Sequence, residues 1–236
     1  MKLIILAAGK GSRIFKDINM NKCLVKINNQ TIIEKIIHDA ISCGIKNIEV
    51  VLGYRSNFVI KIIKKFKKVS FVINKKYNST DMVYSSMLAL KKTNADAIIC
   101  YSDIIFHKSI FKKLIGLNYK NITIPYITNW KNVWKKRNKN IFEDAETFKI
   151  KGKKLVEIGN KITTQNLKSV KGQFMGIIYL PKEKIGKLIN EFKRESNKIQ
   201  YTSFINSLIK IKIPIQIIKH KNYWYEFDDI DDLKNF

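Results

Sequence analysis

The chain has 236 residues, 45% of them hydrophobic and 11% aromatic, with 45 lysines and arginines against 19 acids and a net charge of +26. That apolar content excludes a disordered chain, and ten glycines with three prolines exclude a collagen-like or low-complexity one. Only Arg13, Arg55, Arg137 and Arg194 among the basic residues are arginine, the usual choice for forked phosphate and base contacts. The lysine excess, beside abundant Ile and Asn, matches A/T-rich codons and a solvated basic surface. A nucleic-acid-binding module stays open as an alternative, and the field attracts anionic small molecules either way.

In chain order, residues 2–6 read as a short buried strand, followed by a Gly-containing turn at 7–13. The opening MKLIILAAGKGSR resembles a signal peptide only superficially. Its apolar run is short and meets glycine and charge at once. A cytoplasmic protein with no membrane span is expected. Residues 31–43 have the period of an amphipathic helix that Gly44 stops. Strands are expected at 47–52, 69–73 and 97–100, and helices at 57–66 and 81–91. This strand–helix alternation predicts a parallel sheet covered by helices. Beyond residue 110 the pattern changes. A helix over 104–114, a strand over 121–128 and a hairpin around Gly152 are expected, with an apolar run over 174–180. Helices at 185–192 and 201–211, a strand at 213–218 and an acidic, aromatic tail complete the chain. The reading is one α/β domain over 1–236, with a mixed β region inserted from about 121 to 180. Cys23, Cys43 and Cys100 are too scattered for a disulfide framework and read as three buried thiols.

Three segments carry chemistry. Leu6, Ala7, Ala8, Gly9, Lys10, Gly11, Ser12 and Arg13 directly follow the first strand. Small residues there let backbone N–H groups approach a polyphosphate, and Arg13 adds charge. A Rossmann fingerprint would need glycine where Ile14 stands, and Walker A spacing is absent. An ordinary Gly-rich turn is the alternative. Asp103 follows the fourth strand, where a carboxylate projects into a ligand crevice. It could equally cap the helix expected after it. Near the end, Glu226, Asp228, Asp229, Asp231 and Asp232 interleave with Trp224, Tyr225 and Phe227. Glu226 and Asp228 have strand spacing and share a face. Asp231 and Asp232 suit the start of a last helix.

The run LAAGKGSR, followed by Asn21-Lys22-Cys23-Leu24-Val25, resembles the nucleotidyltransferases that activate sugar phosphates and related phosphate compounds. Their signature is approximately LAAGxGxR, then PK before an apolar strand, and here Asn21 replaces the proline. The segment Tyr77-Asn78-Ser79-Thr80-Asp81-Met82-Val83-Tyr84-Ser85-Ser86 is similar to one in small cytidylyltransferases acting on phosphocholine, aminoethylphosphonate or capsule precursors. Asp144-Ala145-Glu146 and the stretch from Gly172 to Gly176 look like that branch too.

The resemblance implies a Rossmann-like three-layer parallel/mixed sheet of the nucleotidyltransferase type. Its nucleotide-binding core would cover about 1–110, its acceptor region about 111–200 and its metal-ligand segment about 213–236. It implies transfer of CMP from CTP to a small phosphorylated or phosphonate acceptor, releasing pyrophosphate, for cell-surface or capsule precursors. Lys22 and Arg13 would be catalytic. Residues 6–12, Asn78 and Ser85 would bind the nucleotide. Asp103, Asp228 and Glu226 would hold Mg²⁺. Trp130 and Trp134 form either an aromatic box around an alkylammonium group or a packed core face, and Asp144 or Glu146 would pair with an acceptor amine. A sugar-1-phosphate nucleotidyltransferase is the first alternative. A homodimer stays open, and the acceptor's identity is not legible.

Overall fold

The computed structural model describes residues 1–11, 21–116, 119–137 and 139–236. In chain order the elements are β1 (Lys2–Ala7), a 3-10 turn (Lys22–Leu24), β2 (Lys26–Ile27), β3 (Gln30–Thr31), α1 (Ile32–Ser42), β4 (Asn47–Leu52), α2 (Ser56–Ile63), β5 (Val69–Ile73), α3 (Met82–Leu90) and β6 (Ala97–Tyr101). Next come β7 (Ile104–Phe106), α4 (Ser109–Gly116), β8 (Ile122–Ile127), α5 (Trp130–Lys136), α6 (Ile141–Asp144), β9 (Glu146–Lys151), β10 (Lys154–Lys161), β11 (Gln173–Phe174) and β12 (Ile177–Leu180). The chain ends with α7 (Lys182–Phe192), α8 (Tyr201–Lys210), β13 (Ile215–His220), β14 (Trp224–Glu226) and α9 (Ile230–Lys234).

Most strands join one mixed sheet in the order β5-β4-β1-β6-β12-β8-β13-β10-β9, with β11 beside β8. The quartet β5-β4-β1-β6 is parallel, as the strand–helix alternation predicts. All six residues of β1 are buried, which a central parallel strand requires and its near-continuous apolar run supplies. The chain moves from β1 to β4 on one side, then returns to β6 on the other. That reversal opens a crevice beyond the carboxyl ends of β1 and β6. Helix α3 packs on β1 and β4. Helix α1 starts with a reciprocal capping box between Thr31 and Glu34, which satisfies two backbone donors.

Two segments depart from the sequence expectations. Residues 104–106 form a strand rather than the first turn of a helix, because β7 pairs antiparallel with β14 in a separate ribbon. Helix α4 begins only at Ser109. The apolar run at 174–180 is split at Met175-Gly176. Gly176 sits at φ +72°, and a Cβ there would lie 2.8 Å from the Tyr101 ring. No helix among the described residues is long and apolar enough to cross a membrane.

Cys23 and Cys100 are buried as expected, but Cys43, at the end of α1, is half-buried. Burial, reinforced by the Asp103 charge, pushes the Cys23 thiol up to about 12. The same two causes raise Cys100. Thiolate is the reacting species. Titration of the native protein with a thiol reagent at pH 8 should therefore label Cys43 fast, with Cys23 and Cys100 reacting only after unfolding. Fast native labelling of Cys23 would contradict this packing.

Candidate active site

The switch-point crevice is a cleft of about 260 Å³. Its floor is the end of β1 and the loop after it: Leu6, Ala7, Ala8, Gly9 and Gly11. Gly11 has φ +62°, and a Cβ there would meet the Lys22 Cγ at 2.9 Å, so glycine both permits the turn and leaves room for the lysine stem. Gly53, after β4, is equally constrained. A Cβ would fall 2.6 Å from the Ala8 carbonyl oxygen, and the neighbouring Tyr54 N–H donates to that same oxygen at 3.1 Å. Lys10 is exposed and Asn78 lies in an exposed turn, and neither lines the cleft. Ser12 and Arg13 fall outside the described residues.

Asn21 stands where the resemblance expects proline. It is buried, and its Nδ2 donates to the Tyr54 carbonyl oxygen at 2.7 Å. The side chain thus ties the Lys22 turn to the loop after β4, replacing a rigid ring with a hydrogen bond. Its φ of −70° is one that proline adopts.

Lys22 reaches across the cleft to two carboxylates. Its Nζ lies 3.2 Å from Asp103 Oδ2 and 2.9 Å from Asp228 Oδ1. Burial works against the ammonium charge, but Asp103 and Asp228 outweigh it and hold Lys22 above the ordinary lysine range. Asp103 follows β6, and its carbonyl oxygen accepts the Phe227 N–H at 2.9 Å. Since 104–106 is a strand, the helix-capping alternative for Asp103 falls away. The β7–β14 ribbon sets Glu226 opposite Ile104. Oxygens of Asp103, Glu226 and Asp228 consequently lie within 4.8 Å of one another. Burial first, then the charges of Asp228 and Asp103, raise the Glu226 carboxyl well above the usual carboxylate range. A crowded set of hard oxygen ligands suits a small divalent cation.

Another wall of the cleft is lined by Tyr77, Thr80, Asp81 and Ser85. Behind them lies the buried Asn74, which no motif marks. Its Nδ2 donates to both Thr80 Oγ1 and Ser85 Oγ at 3.0 Å, while its Oδ1 accepts the Lys76 N–H at 2.9 Å.

The residues expected at the acceptor end are placed differently from one another. Trp130 and Trp134 are buried and do not line the cleft. They meet edge to face at 6.1 Å, and Trp134 stacks on Trp224 at 6.2 Å. Of the two readings of this pair, the geometry matches the packed core face, so the open aromatic box is withdrawn. Glu146 is half-buried and accepts from Thr202 Oγ1 at 3.2 Å. Burial and then the Asp144 charge raise its pKa, against the Thr202 hydrogen bond. Its charge is felt by Tyr101, which does line the cleft. Asp144 instead lies 3.7 Å from Arg137.

Arg137 is the functional-site residue the motifs miss. It is fully buried, and its fork binds Asp232 through Nε at 2.8 Å and Nη2 at 3.1 Å. Nη2 also donates to Asp228 Oδ2 at 3.0 Å. The signal available in sequence was its identity: an arginine after Lys135-Lys136 in a chain with only four arginines. Asp232 starts α9 as expected, but it is fully buried and also accepts the Asp228 N–H at 2.7 Å.

A switch-point cleft in which one lysine bridges carboxylates from two strand ends has the parts for nucleotidyl transfer, and the chain is a nucleotidyltransferase. Residues 3–131 match the MobA-like NTP transferase domain, and the chain belongs to that family. It is 30% identical to the CTP:phosphoglutamine cytidylyltransferase of Campylobacter jejuni, over 99% of this chain and 98% of that protein. Over a shorter stretch, 43% of this chain and 42% of the other, it is 27% identical to the 2-aminoethylphosphonate cytidylyltransferase of Lancefieldella rimae. Among solved structures, the CTP:phosphocholine cytidylyltransferase of Streptococcus pneumoniae shares the fold with a TM-score of 0.74 at 21% identity, covering 99% of this chain and 96% of that one. The inositol-1-phosphate CTP transferase of T. maritima does so at 0.78 and 16%, covering 98% and 90%.

Two substitutions test this geometry. Asn21→Pro should keep kcat/KM within several-fold, because the ring fixes the φ that the hydrogen bond now fixes. Gly53→Ala should lower kcat/KM at least tenfold, because it displaces the Ala8 carbonyl and the loop that carries it. Steady-state kinetics with circular dichroism as a fold control would check both, and a silent Gly53→Ala would show that the loop position is not critical.

Proposed function

We propose that this nucleotidyltransferase uses CTP and transfers CMP to a small acceptor bearing a phosphate or phosphonate group and a cationic amine. The observation that carries the reading is the convergence of Lys22, Asp103 and Asp228 at the carboxyl edge of the parallel strands. Near full-length similarity to a cytidylyltransferase supports the choice of CTP.

In the reaction an anionic acceptor oxygen attacks the α-phosphorus of CTP. The new P–O bond forms as the α–β bridging bond breaks, and its electron pair leaves on pyrophosphate. The attacking oxygen is already ionised, so no strong general base is needed, and catalysis is positioning and charge neutralisation. The Lys22 ammonium, held charged, neutralises α-phosphate oxygens as negative charge develops. The Gly9–Gly11 backbone offers close approach to the remaining phosphates. Asp103, Glu226 and Asp228 would hold Mg²⁺, which supplies Lewis-acid charge stabilisation when bound. Ser85, fixed by Asn74, faces the base. Glu146, near Tyr101, supplies the negative charge that an acceptor amine needs in so basic a protein. Products of this type serve as precursors of cell-surface or capsule polymers.

A pyrophosphate-release screen crossing four NTPs with phosphoglutamine, aminoethylphosphonate, phosphocholine and sugar 1-phosphates tests the substrate pair. CTP with an amine-bearing acceptor should give the highest kcat/KM. Faster turnover with a sugar 1-phosphate would move the protein to the alternative branch. Asp103→Ala and Asp228→Ala should each lower kcat by orders of magnitude in a folded protein, and Lys22→Ala should be worse than Lys22→Arg. Near-normal turnover in either aspartate variant at saturating Mg²⁺ would remove that residue from the site.

A further inference from the structure

Arg137 carries a full charge with no exposed surface, and its ion pairs run to Asp144, Glu226, Asp228 and Asp232. Two of its nitrogens make close hydrogen bonds to Asp232 and Asp228. The third, Nη1, has no hydrogen-bond partner, yet lies 3.6 Å from Glu226 and 3.7 Å from Asp144. The guanidinium carbon lies over the Trp134 ring, 5.2 Å from its centroid. That contact packs the fork from the side away from the acids. Asp232 in turn accepts the backbone N–H of Asp228 at 2.7 Å and of Asp229 at 3.2 Å. Arg137 and Asp232 therefore grip Asp228 at both its side chain and its backbone.

We propose that Arg137 is a positioning residue that, with Asp232, fixes the orientation of Asp228 and Glu226 for a divalent cation. This rests on the reading of Asp103, Glu226 and Asp228 as metal ligands. Burying an arginine for stability alone is a poor solution, since an apolar pair of similar volume is often as stable. A forked cation that orients carboxylates gains what an apolar pair cannot give. The groups that hold metal ligands in place commonly contribute ten- to a hundredfold in metal affinity. Lysine in the same place would keep the charge but present a single point, and would lose the two-nitrogen grip on Asp232.

The test measures Mn²⁺ binding to the full chain by isothermal titration calorimetry, with no nucleotide present, so it does not depend on turnover. Arg137→Lys should weaken Mn²⁺ about tenfold while far-UV circular dichroism stays unchanged. Its kcat/KM should recover as Mg²⁺ is raised, which a merely structural lesion would not show. Arg137→Met combined with Asp232→Asn removes both buried charges together, leaving neither unpaired, and should weaken Mn²⁺ at least as much. A folded Arg137 variant with wild-type Mn²⁺ affinity overturns the positioning role. Failure of both Arg137 variants to fold assigns the residue to stability and also overturns it. Asp228→Asn separates the two readings. If it weakens Mn²⁺ and the Arg137 variants do not, only the positioning role fails. If it leaves Mn²⁺ affinity unchanged, the metal-ligand reading fails first.

Discussion

Like charge held at close range is the constraint that organises this molecule. Asp103, Glu226 and Asp228 share a space under 5 Å across. At that separation in a partly buried site, an ionised pair such as Asp103 and Asp228 repels by about 3 to 4 kcal/mol at an effective dielectric near 20, and burial with these same charges raises Glu226 well above the usual carboxylate range. Lys22 and Arg137 offset that repulsion, Lys22 from the cleft and Arg137 from the buried side. They come from far-apart parts of the chain: Lys22 precedes Asp228 by 206 positions and Arg137 by 91. Much of the fold serves to bring these segments to one place.

The geometry is held by backbone as well as by charge. The β7–β14 ribbon is short, but it joins the strand that leaves Asp103 to the strand that carries Glu226. The Phe227 N–H to Asp103 carbonyl bond closes the ribbon at its site end. Aromatic packing holds the ribbon as well. Trp224 donates to the Met175 carbonyl at 3.0 Å and stacks on Trp134. Tyr225 donates through its hydroxyl to the Asp232 carbonyl at 3.1 Å. Tyr225 and Phe227 alternate with Glu226 and Asp228 in this tail, so one face carries the acids and the other is buried. For the same reason the tryptophans of α5 serve the core. Trp134 stacks on Trp224 in the ribbon and packs beside Arg137, so its ring belongs to the core and not to the cleft.

The parallel half of the fold was legible because β1, β4 and β6 are almost wholly buried and read as plain apolar runs between helices, with only the edge strand β5 more exposed. The Gly9–Gly11 loop, Lys22, Asp103 and the acidic tail were legible because each combines a chemical type with a position at a strand end. Residues 104–106 were not. Ile-Ile-Phe fits a helix turn or a strand, and only the distant β14 decides between them. Arg137 was hidden by the lysines around it, and its importance comes from burial, which periodicity in a short polar helix does not reveal. Asn74 is hidden in the same way: its three hydrogen bonds depend on a turn whose shape no local pattern encodes. Tertiary pairing, rather than local preference, settled each of these positions.

The charge of the site contrasts with that of a chain at +26. A long-range positive field attracts anions, and salt screens that field beyond about 10 Å. The same field disfavours any cation. The described carboxylates around Lys22 and Arg137 reverse the sign locally, where screening is weakest. The reversal needs arginine rather than lysine at its centre, since only a planar fork satisfies Asp232 and Asp228 at once while keeping its charge in a fully buried position. Lysine elsewhere on the surface meets no such demand. The division between abundant surface lysine and, among the described residues, one buried arginine therefore follows from what each position requires: net charge outside, and fixed direction within.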